Sequence, residues 1–472
     1  MVVAQAVDVQ PAGSARFDVV DPSTEQPIAA VLDMGPDMAT AALDAAVEAQ
    51  PGWAATTPAQ RADILTRGYR LMVERTDELT LLMTLEMGKP LSQSAGEVSY
   101  AAEFFRWFAG EALRIDGGLM TSPDGGSRLL VTQQPVGPSL LITPWNFPLA
   151  MGTRKIGPAL AAGCTCVVKP AEQTPLSMLA LLGILREAGV PDDVVTVVTT
   201  ADPAAAMAPV LADPRARKLS FTGSTAVGRV LLAQCAPTVK RTSMELGGNA
   251  PFIVFDDADI DEAVTGALAA KMRNIGQACT AANRIYVHRP IAEAFTAALV
   301  DRMRPLKLGR GTEAGVDVGP LIDADAVAKV SALVADARTR GATVRLGGEP
   351  LDMPGYFYPP TVVTDVPDDA DMARTEIFGP VAGVGIFDTE DEVVARANNS
   401  EYGLVAYLYT NDTRRGWRVA EALETGMVGL NQGVVSTPSG PFGGVKQSGL
   451  GREGGFAGIA EFLETKYIGA AR

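Results

Sequence analysis

Apolar residues recur every three or four positions through most of the first 115 or so residues. The segments "ATAALDAAVEAQPGW", "PAQRADILTRGYRLMVER" and "GEVSYAAEFFRWFAGEALR" each gather them on one helical face, which predicts a mainly helical opening. The pattern breaks at "GGLMTSPDGGSRLLVTQQPVG", where Gly, Ser and Pro surround a short apolar run; this predicts a hairpin excursion. A regular alternation follows. The runs "PSLLITP", "CTCVVKP", "VVTVVTT" and "KLSFTG" read as strands. They are followed in turn by "MGTRKIGPALAAG", "TPLSMLALLGILREAGV", "PAAAMAPVLAD" and "STAVGRVLLAQ", which read as helices. Strand–helix alternation of this kind predicts a parallel sheet with crossover helices, and such sheets bind ligands beyond the C-terminal ends of their strands. A second αβ series starts near "NAPFIVFDDADIDEAV" and runs to about residue 440, through "FTAALVDRMRPL", "AVAKVSALVADARTRGATVRLGG" and "TRRGWRVAEALETGMVGLNQG". The two series meet at the glycine-rich hinge "MELGGNAP", and the tail "EFLETKYIGA" reads as an edge strand. No internal repeat or low-complexity linker interrupts them.

Composition narrows the class. A chain of 472 residues is long enough for two or three domains with a sizeable core. A net charge of −15 opposes non-specific binding to nucleic acid or to anionic membranes, so neither is expected as a partner. The stretch "MVVAQAVDVQPAGSARFDVVDP" lacks a basic start followed by an apolar run, and no segment reaches the roughly 20 apolar residues of a spanning helix. A soluble cytoplasmic location is the resulting expectation. Four cysteines, Cys164, Cys166, Cys235 and Cys279, are too few for a disulfide scaffold in a chain of this length. Cys164 and Cys166 fall in "GCTCVVKP" and read as two core residues on one face of a strand. With His288 as the one histidine, no His-cluster metal site is expected, and no metal.

The residues with chemical potential lie just after the predicted strands. Asn146 in "ITPWNFP" offers amide N–H donors that can meet an oxyanion without exchanging protons. Lys169 and Glu172 in "VVKPAEQTP" suit a ribose hydroxyl or phosphate and a ribose diol respectively. "SFTGSTAVG" is a strand, a glycine turn and a helix start, whose backbone N–H groups could meet a pyrophosphate. Glu245 precedes paired glycines in "MELGGNAP" and is a candidate general base. Cys279 in "RNIGQACTAANR" is flanked by small residues that leave it reachable as a nucleophile. Each signal alone also has a bland structural explanation.

In combination, "ITPWNFP", "VVKPAEQTP", "FTGST", "MELGGNAP", "GQACTAANR", "EIFGPV" and "PFGGVKQSGLGRE", in this order, closely resemble the NAD(P)-dependent aldehyde dehydrogenase superfamily over roughly residues 15–470. The resemblance implies an α/β, aldehyde dehydrogenase-like fold. Its parts would be a Rossmann-type dinucleotide-binding domain (1–116 and 137–247), an α/β catalytic domain (248–440) and a small β oligomerisation extension (117–136 and 455–472). Homodimers or homotetramers are expected. The resemblance implies Cys279 as nucleophile, Glu245 as the activator of water and Asn146 as the oxyanion donor. It places Lys169 and Glu172 at the adenine ribose, Glu376 at the nicotinamide ribose with Phe378 beside it, Gly223 and Ser224 along the pyrophosphate path, and Trp145 close by.

Arg154, Arg273 and Ser436 resemble a carboxylate-holding trio of the succinate-semialdehyde dehydrogenase subgroup. This implies oxidation of a carboxylated small aldehyde, succinate semialdehyde, to its acid. Glutarate semialdehyde or an uncharged aldehyde is the alternative, and a non-catalytic relative or a cofactor-free thiol hydrolase are the readings of other classes. Arg273 is expected to lower the Cys279 pKa. Ala281 stands where some members of the subgroup carry a second cysteine, so no local disulfide switch is expected. A carboxylate at Glu172 repels an added phosphate, so NAD is expected over NADP.

Overall fold

The computed structural model describes residues 15–471; residues 1–14, on which the reading of a missing leader largely rests, and residue 472 lie outside the described residues. The chain opens with an antiparallel hairpin, Arg16–Asp21 against Gln26–Leu32, where helix was expected. Its apolar residues Val19 and Val31 are buried against Leu176, so the hairpin is stabilised by a partner far along the chain that local pattern does not show. Four helices follow: Pro36–Ala54, Pro58–Glu74, Thr76–Met87 and Leu91–Ala112. The second begins with a reciprocal capping box between Thr57 and Gln60 and has Pro58 in its first turn.

The first large sheet contains five parallel strands in the order Arg241–Glu245, Lys218–Thr222, Ser139–Ile142, Cys166–Lys169 and Val195–Val197. The short strand Gly449–Leu450 returns to pair antiparallel with Arg241–Glu245 at one edge. Ser139–Ile142, Cys166–Lys169 and Lys218–Thr222 are buried throughout, because helices cover both faces of a parallel sheet; hence their unbroken apolar runs. From Ser139–Ile142 the chain builds outward to Val195–Val197, then crosses to Lys218–Thr222 on the other side. That reversal opens a crevice at the C-terminal ends of Ser139–Ile142 and Lys218–Thr222.

The second large sheet runs Thr343–Leu346, Thr361–Thr364, Val381–Phe387, Ala282–His288, Ala250–Val254, Val405–Tyr409 and Met427–Leu430, parallel except for Thr343–Leu346. The "MELGGNAP" hinge carries the chain from Glu245 in the first sheet to Ala250 in the second. Gly118–Thr121, Ser127–Pro135 and Leu463–Ala471 form a separate antiparallel sheet, in which the tail is an edge strand. Cys164 and Cys166 share one core cluster, although Cys164 precedes the strand rather than belonging to it. Among the described residues no helix is long and apolar enough to cross a membrane.

Candidate active site

The strand ends of both large sheets converge on one cavity of about 240 Å³. The segment after Ser139–Ile142 supplies Trp145 and Asn146, and the helix that follows supplies Arg154. The turn after Lys218–Thr222 supplies Gly223 and Ser224. From the second sheet come Arg273 and Cys279, ahead of Ala282–His288, and Glu376 and Phe378, ahead of Val381–Phe387. Ser436 closes the set. Three of the residues singled out in the sequence do not line the cavity: Glu245, Lys169 and Glu172. Tyr100, Phe147, Thr222, Lys329 and Phe442 line it without having been singled out. Tyr100 and Lys329 lie in ordinary amphipathic helices and Phe147 beside a motif asparagine, so nothing local set them apart.

Cys279 is presented by an unusual loop. Asn274, Ile275 and Gly276 all have left-handed backbone, with φ of 53°, 61° and 74°. A β-branched residue such as Ile275 adopts this conformation only where its surroundings impose it. The Asn274 amide imposes it here, donating to the carbonyls of Asn146 at 2.9 Å and Gln277 at 2.8 Å. The Asn146 side chain is fixed from both ends: Nδ2 donates to the Gln277 carbonyl at 3.0 Å, and Oδ1 accepts from the Phe147 N–H at 3.1 Å. Its second amide hydrogen remains for a ligand in the cavity. Gly248 packs so close to the Cys279 carbonyl that any Cβ there would overlap it.

Burial dominates the electrostatics. It pushes the Cys279 thiol up to about 12, helped by the charges of Glu376 and Glu245 and opposed by Arg154 and Arg273. Arg273 therefore acts in the expected direction but does not prevail; a thiol raised overall replaces the lowered one expected. Glu245 is 2% exposed, and its Oε2 has no hydrogen-bond partner. Burial and the facing Glu453 carboxylate hold it well above the usual carboxylate range, against Lys155, Arg154 and Arg452. Glu376 is pushed up to about 7 by burial, while the Gly248 N–H, Lys329 and Lys271 favour its ionised form.

The two arginines are not equivalent. Arg154 is buried, bonded to the Tyr100 hydroxyl, 3.7 Å from Glu453 and 4.1 Å from the Phe442 ring centre. Arg273 lies over Phe147 at 4.9 Å and Tyr100 at 5.8 Å, and among the described residues it forms no ion pair. The wall beside them offers donors to an anionic ligand. The Thr222 hydroxyl is buried without a partner, and Ser224 caps the start of helix Thr225–Cys235. That arrangement fits the pyrophosphate of a dinucleotide. At the end of strand Cys166–Lys169, two strands from Thr222, Lys169 donates to Glu172 Oε2 at 2.9 Å. The lone histidine is engaged elsewhere, with Nδ1 3.1 Å from Asp256.

Residues 9–468 match the model of the aldehyde dehydrogenase family. The chain belongs to the aldehyde dehydrogenase family. This aldehyde dehydrogenase is 55% identical to succinate-semialdehyde dehydrogenase of Paenarthrobacter nicotinovorans, covering 92% of this chain and 96% of that one. It is 51% identical to the succinate-semialdehyde dehydrogenase [NADP(+)] of Escherichia coli K12, covering 96% and 94%. A relative of Pseudomonas aeruginosa named glutarate-semialdehyde dehydrogenase matches at 50% identity over 95% and 93%. The solved structure of succinate-semialdehyde dehydrogenase from Burkholderia pseudomallei superimposes with a TM-score of 0.96 at 50% identity, covering 97% of this chain and 95% of that one. The aldehyde dehydrogenase fold expected from the motifs is thus the observed one.

The expected preference for NAD is corrected by the same comparison, since the Escherichia coli relative carries NADP(+) in its name. The physical reason lies in the pair just described. Lys169 pairs with the Glu172 carboxylate at 2.9 Å and offsets the charge on which the expected repulsion of an added phosphate rests.

Proposed function

We propose that this aldehyde dehydrogenase oxidises succinate semialdehyde to succinate with NADP as electron acceptor. The observation that carries this reading is the placement of a reachable thiol, an amide donor and an uncompensated guanidinium, Arg273, around one cavity. Relatives named for this aldehyde, at 51–55% identity, support it.

After losing its proton to water, Cys279 Sγ adds as thiolate to the aldehyde carbon, and the resulting oxyanion accepts hydrogen bonds from Asn146 Nδ2 and the Cys279 N–H. Thr222, Gly223 and Ser224 would hold the pyrophosphate of the cofactor, Glu376 the nicotinamide ribose, with Trp145 and Phe378 alongside, and Lys169 and Glu172 the adenine ribose. The bound nicotinamide supplies a hydride acceptor. Loss of hydride leaves a thioester on Cys279. Glu245 then takes a proton from water, which displaces the thiol as the carboxylate forms. Burial and the facing Glu453 carboxylate favour the neutral form of Glu245, which suits a group that has to take up a proton from water. Arg273, with Arg154 and Ser436, grips the far carboxylate of the substrate. The first sheet with its helices forms the cofactor domain and the second the catalytic domain. The three-stranded sheet is the surface on which subunits join.

The test is formation of NADPH from succinate semialdehyde, repeated with Cys279→Ala, with NAD, and with butanal and glutarate semialdehyde. The reading requires the highest kcat/KM with succinate semialdehyde and NADP, and none after Cys279→Ala. Equal rates with butanal would overturn it. Glutarate semialdehyde, one methylene longer, is the second reading, favoured by the relatives named for it; a higher kcat/KM with that substrate would select it.

A further inference from the structure

Lys89 and Glu97 carry no chemistry in the sequence reading, yet they form a fully buried ion pair against the turn that holds Asn146. Lys89 sits in the short connection between Thr76–Met87 and Leu91–Ala112, and Glu97 on the second of these helices. The Lys89 ammonium is bonded to the Glu97 carboxylate and donates to the Asn146 carbonyl oxygen at 2.8 Å. It also lies 4.4 Å from the centre of the Phe147 ring, whose ring carries Arg273 at 4.9 Å. The other Glu97 oxygen accepts the N–H groups of Leu149 at 3.0 Å and Ala150 at 3.1 Å.

We infer that Lys89 and Glu97 are positioning residues for the oxyanion donor, fixing the turn that carries Asn146 from a separate helix. The inference rests on the role proposed above for Asn146. The turn needs such support for a chemical reason. It contains two prolines, Pro144 and Pro148, which donate no N–H, and helix Ala150–Ala162 has no side-chain cap of its own. Glu97 supplies the missing acceptor for the first N–H groups of that helix, from 52 and 53 residues away in sequence. Lys89 supplies the donor at the other end of the same few residues. Between them they set both the height and the tilt of Asn146, whose amide must meet an oxygen atom to within a few tenths of an ångström. A buried ion pair is costly to desolvate and is often replaceable by apolar residues without loss of stability. Here the pair gives directed bonds to one main-chain carbonyl and two main-chain N–H groups, which apolar residues could not give.

The test is a double-mutant cycle read by single-turnover NADPH formation with the full-length enzyme and saturating substrate. Lys89→Met lowers the rate about 10- to 100-fold, the cost of misplacing a reacting or stabilising group by about an ångström, with the KM for NADP changed by less than about twofold. In the Asn146→Ala background, the same change lowers the rate by less than about threefold, because the group it positions is already gone. Lys89→Met with Glu97→Gln, which leaves no unmatched buried charge and keeps an oxygen for Leu149 and Ala150, follows the same pattern and serves should Lys89→Met alone not fold. Equal fold losses with and without Asn146 would overturn the inference and make the pair merely structural. If Asn146→Ala itself left the rate unchanged, the failure would lie in the proposed role of Asn146, and the inference would fall with it.

Discussion

Two carboxylates and two guanidiniums surround the Cys279 thiol, and the balance among them has a direct consequence for reactivity. With the thiol pushed up to about 12, its thiolate fraction grows almost tenfold for each pH unit from neutrality upward. The rise is somewhat shallower near neutrality, where Glu376 gains its charge and opposes a second one nearby. Inactivation of the ligand-free enzyme by iodoacetamide is therefore expected to accelerate continuously between pH 7 and about 10; a plateau below pH 9 would contradict the burial argument. Arg273 favours the thiolate, so Arg273→Ala is expected to slow alkylation at every pH in that range. The same substitution is expected to raise the KM for succinate semialdehyde roughly 10- to 100-fold, the value of a charge-assisted hydrogen bond, and to leave butanal unaffected. Steady-state kinetics on the two aldehydes checks it. Equal effects on both would remove the substrate grip from this arginine.

The elements show why part of the site was legible in the sequence and part was not. The alternation of apolar runs with amphipathic helices predicts four of the five parallel strands of the first sheet, leaving out Arg241–Glu245; Asn146 and Gly223 line the cavity at C-terminal strand ends, whereas Glu245 does not line it. Cys279 was found through its motif, although its neighbours Asn274 and Ile275 carry no local sign of a left-handed backbone. What pattern could not reveal is what comes from elsewhere in space. The first hairpin was missed because Leu176 buries it. Glu245 ends a strand but does not face water; burial first, and then Glu453 far along the chain, raise its pKa. Lys169 and Glu172 stand three apart in sequence, but that they pair at 2.9 Å shows only in the structure. At this scale the hinge glycine offers a sharp test. A methyl group in Gly248→Ala must displace the Cys279 carbonyl, so kcat is expected to fall by about 100-fold or more. Unchanged kcat would show that the loop is less closely held than its contacts suggest.

At the scale of the whole molecule, the three-stranded sheet joins the core only at Leu463 and leaves large apolar residues exposed beyond it. Leu119 is 71% exposed, Met120 55% and Tyr467 62%, and the tail Leu463–Ala471 leaves one strand edge unpaired within the chain. An apolar patch beside a free edge is where like chains associate or aggregate. Light scattering is expected to report a dimer or tetramer of the 49.3 kDa chain, and Leu119→Lys with Tyr467→Lys is expected to shift it toward smaller species. A monomeric wild-type chain would remove the proposed role of this sheet.

The distribution of sulfur gives the enzyme a built-in means of counting its working sites. Cys164, Cys166 and Cys235 are sealed in the two cores beside the first sheet, and only Cys279 meets the outside through the cavity. A small electrophile added to the native protein should thus leave a single adduct per chain, visible as one mass increment. The labelled fraction would equal the fraction of lost turnover, and saturating cofactor and substrate would shield it. Every preparation can then be calibrated by mass alone, since an unfolded chain also exposes the three sealed thiols and takes up more than one increment.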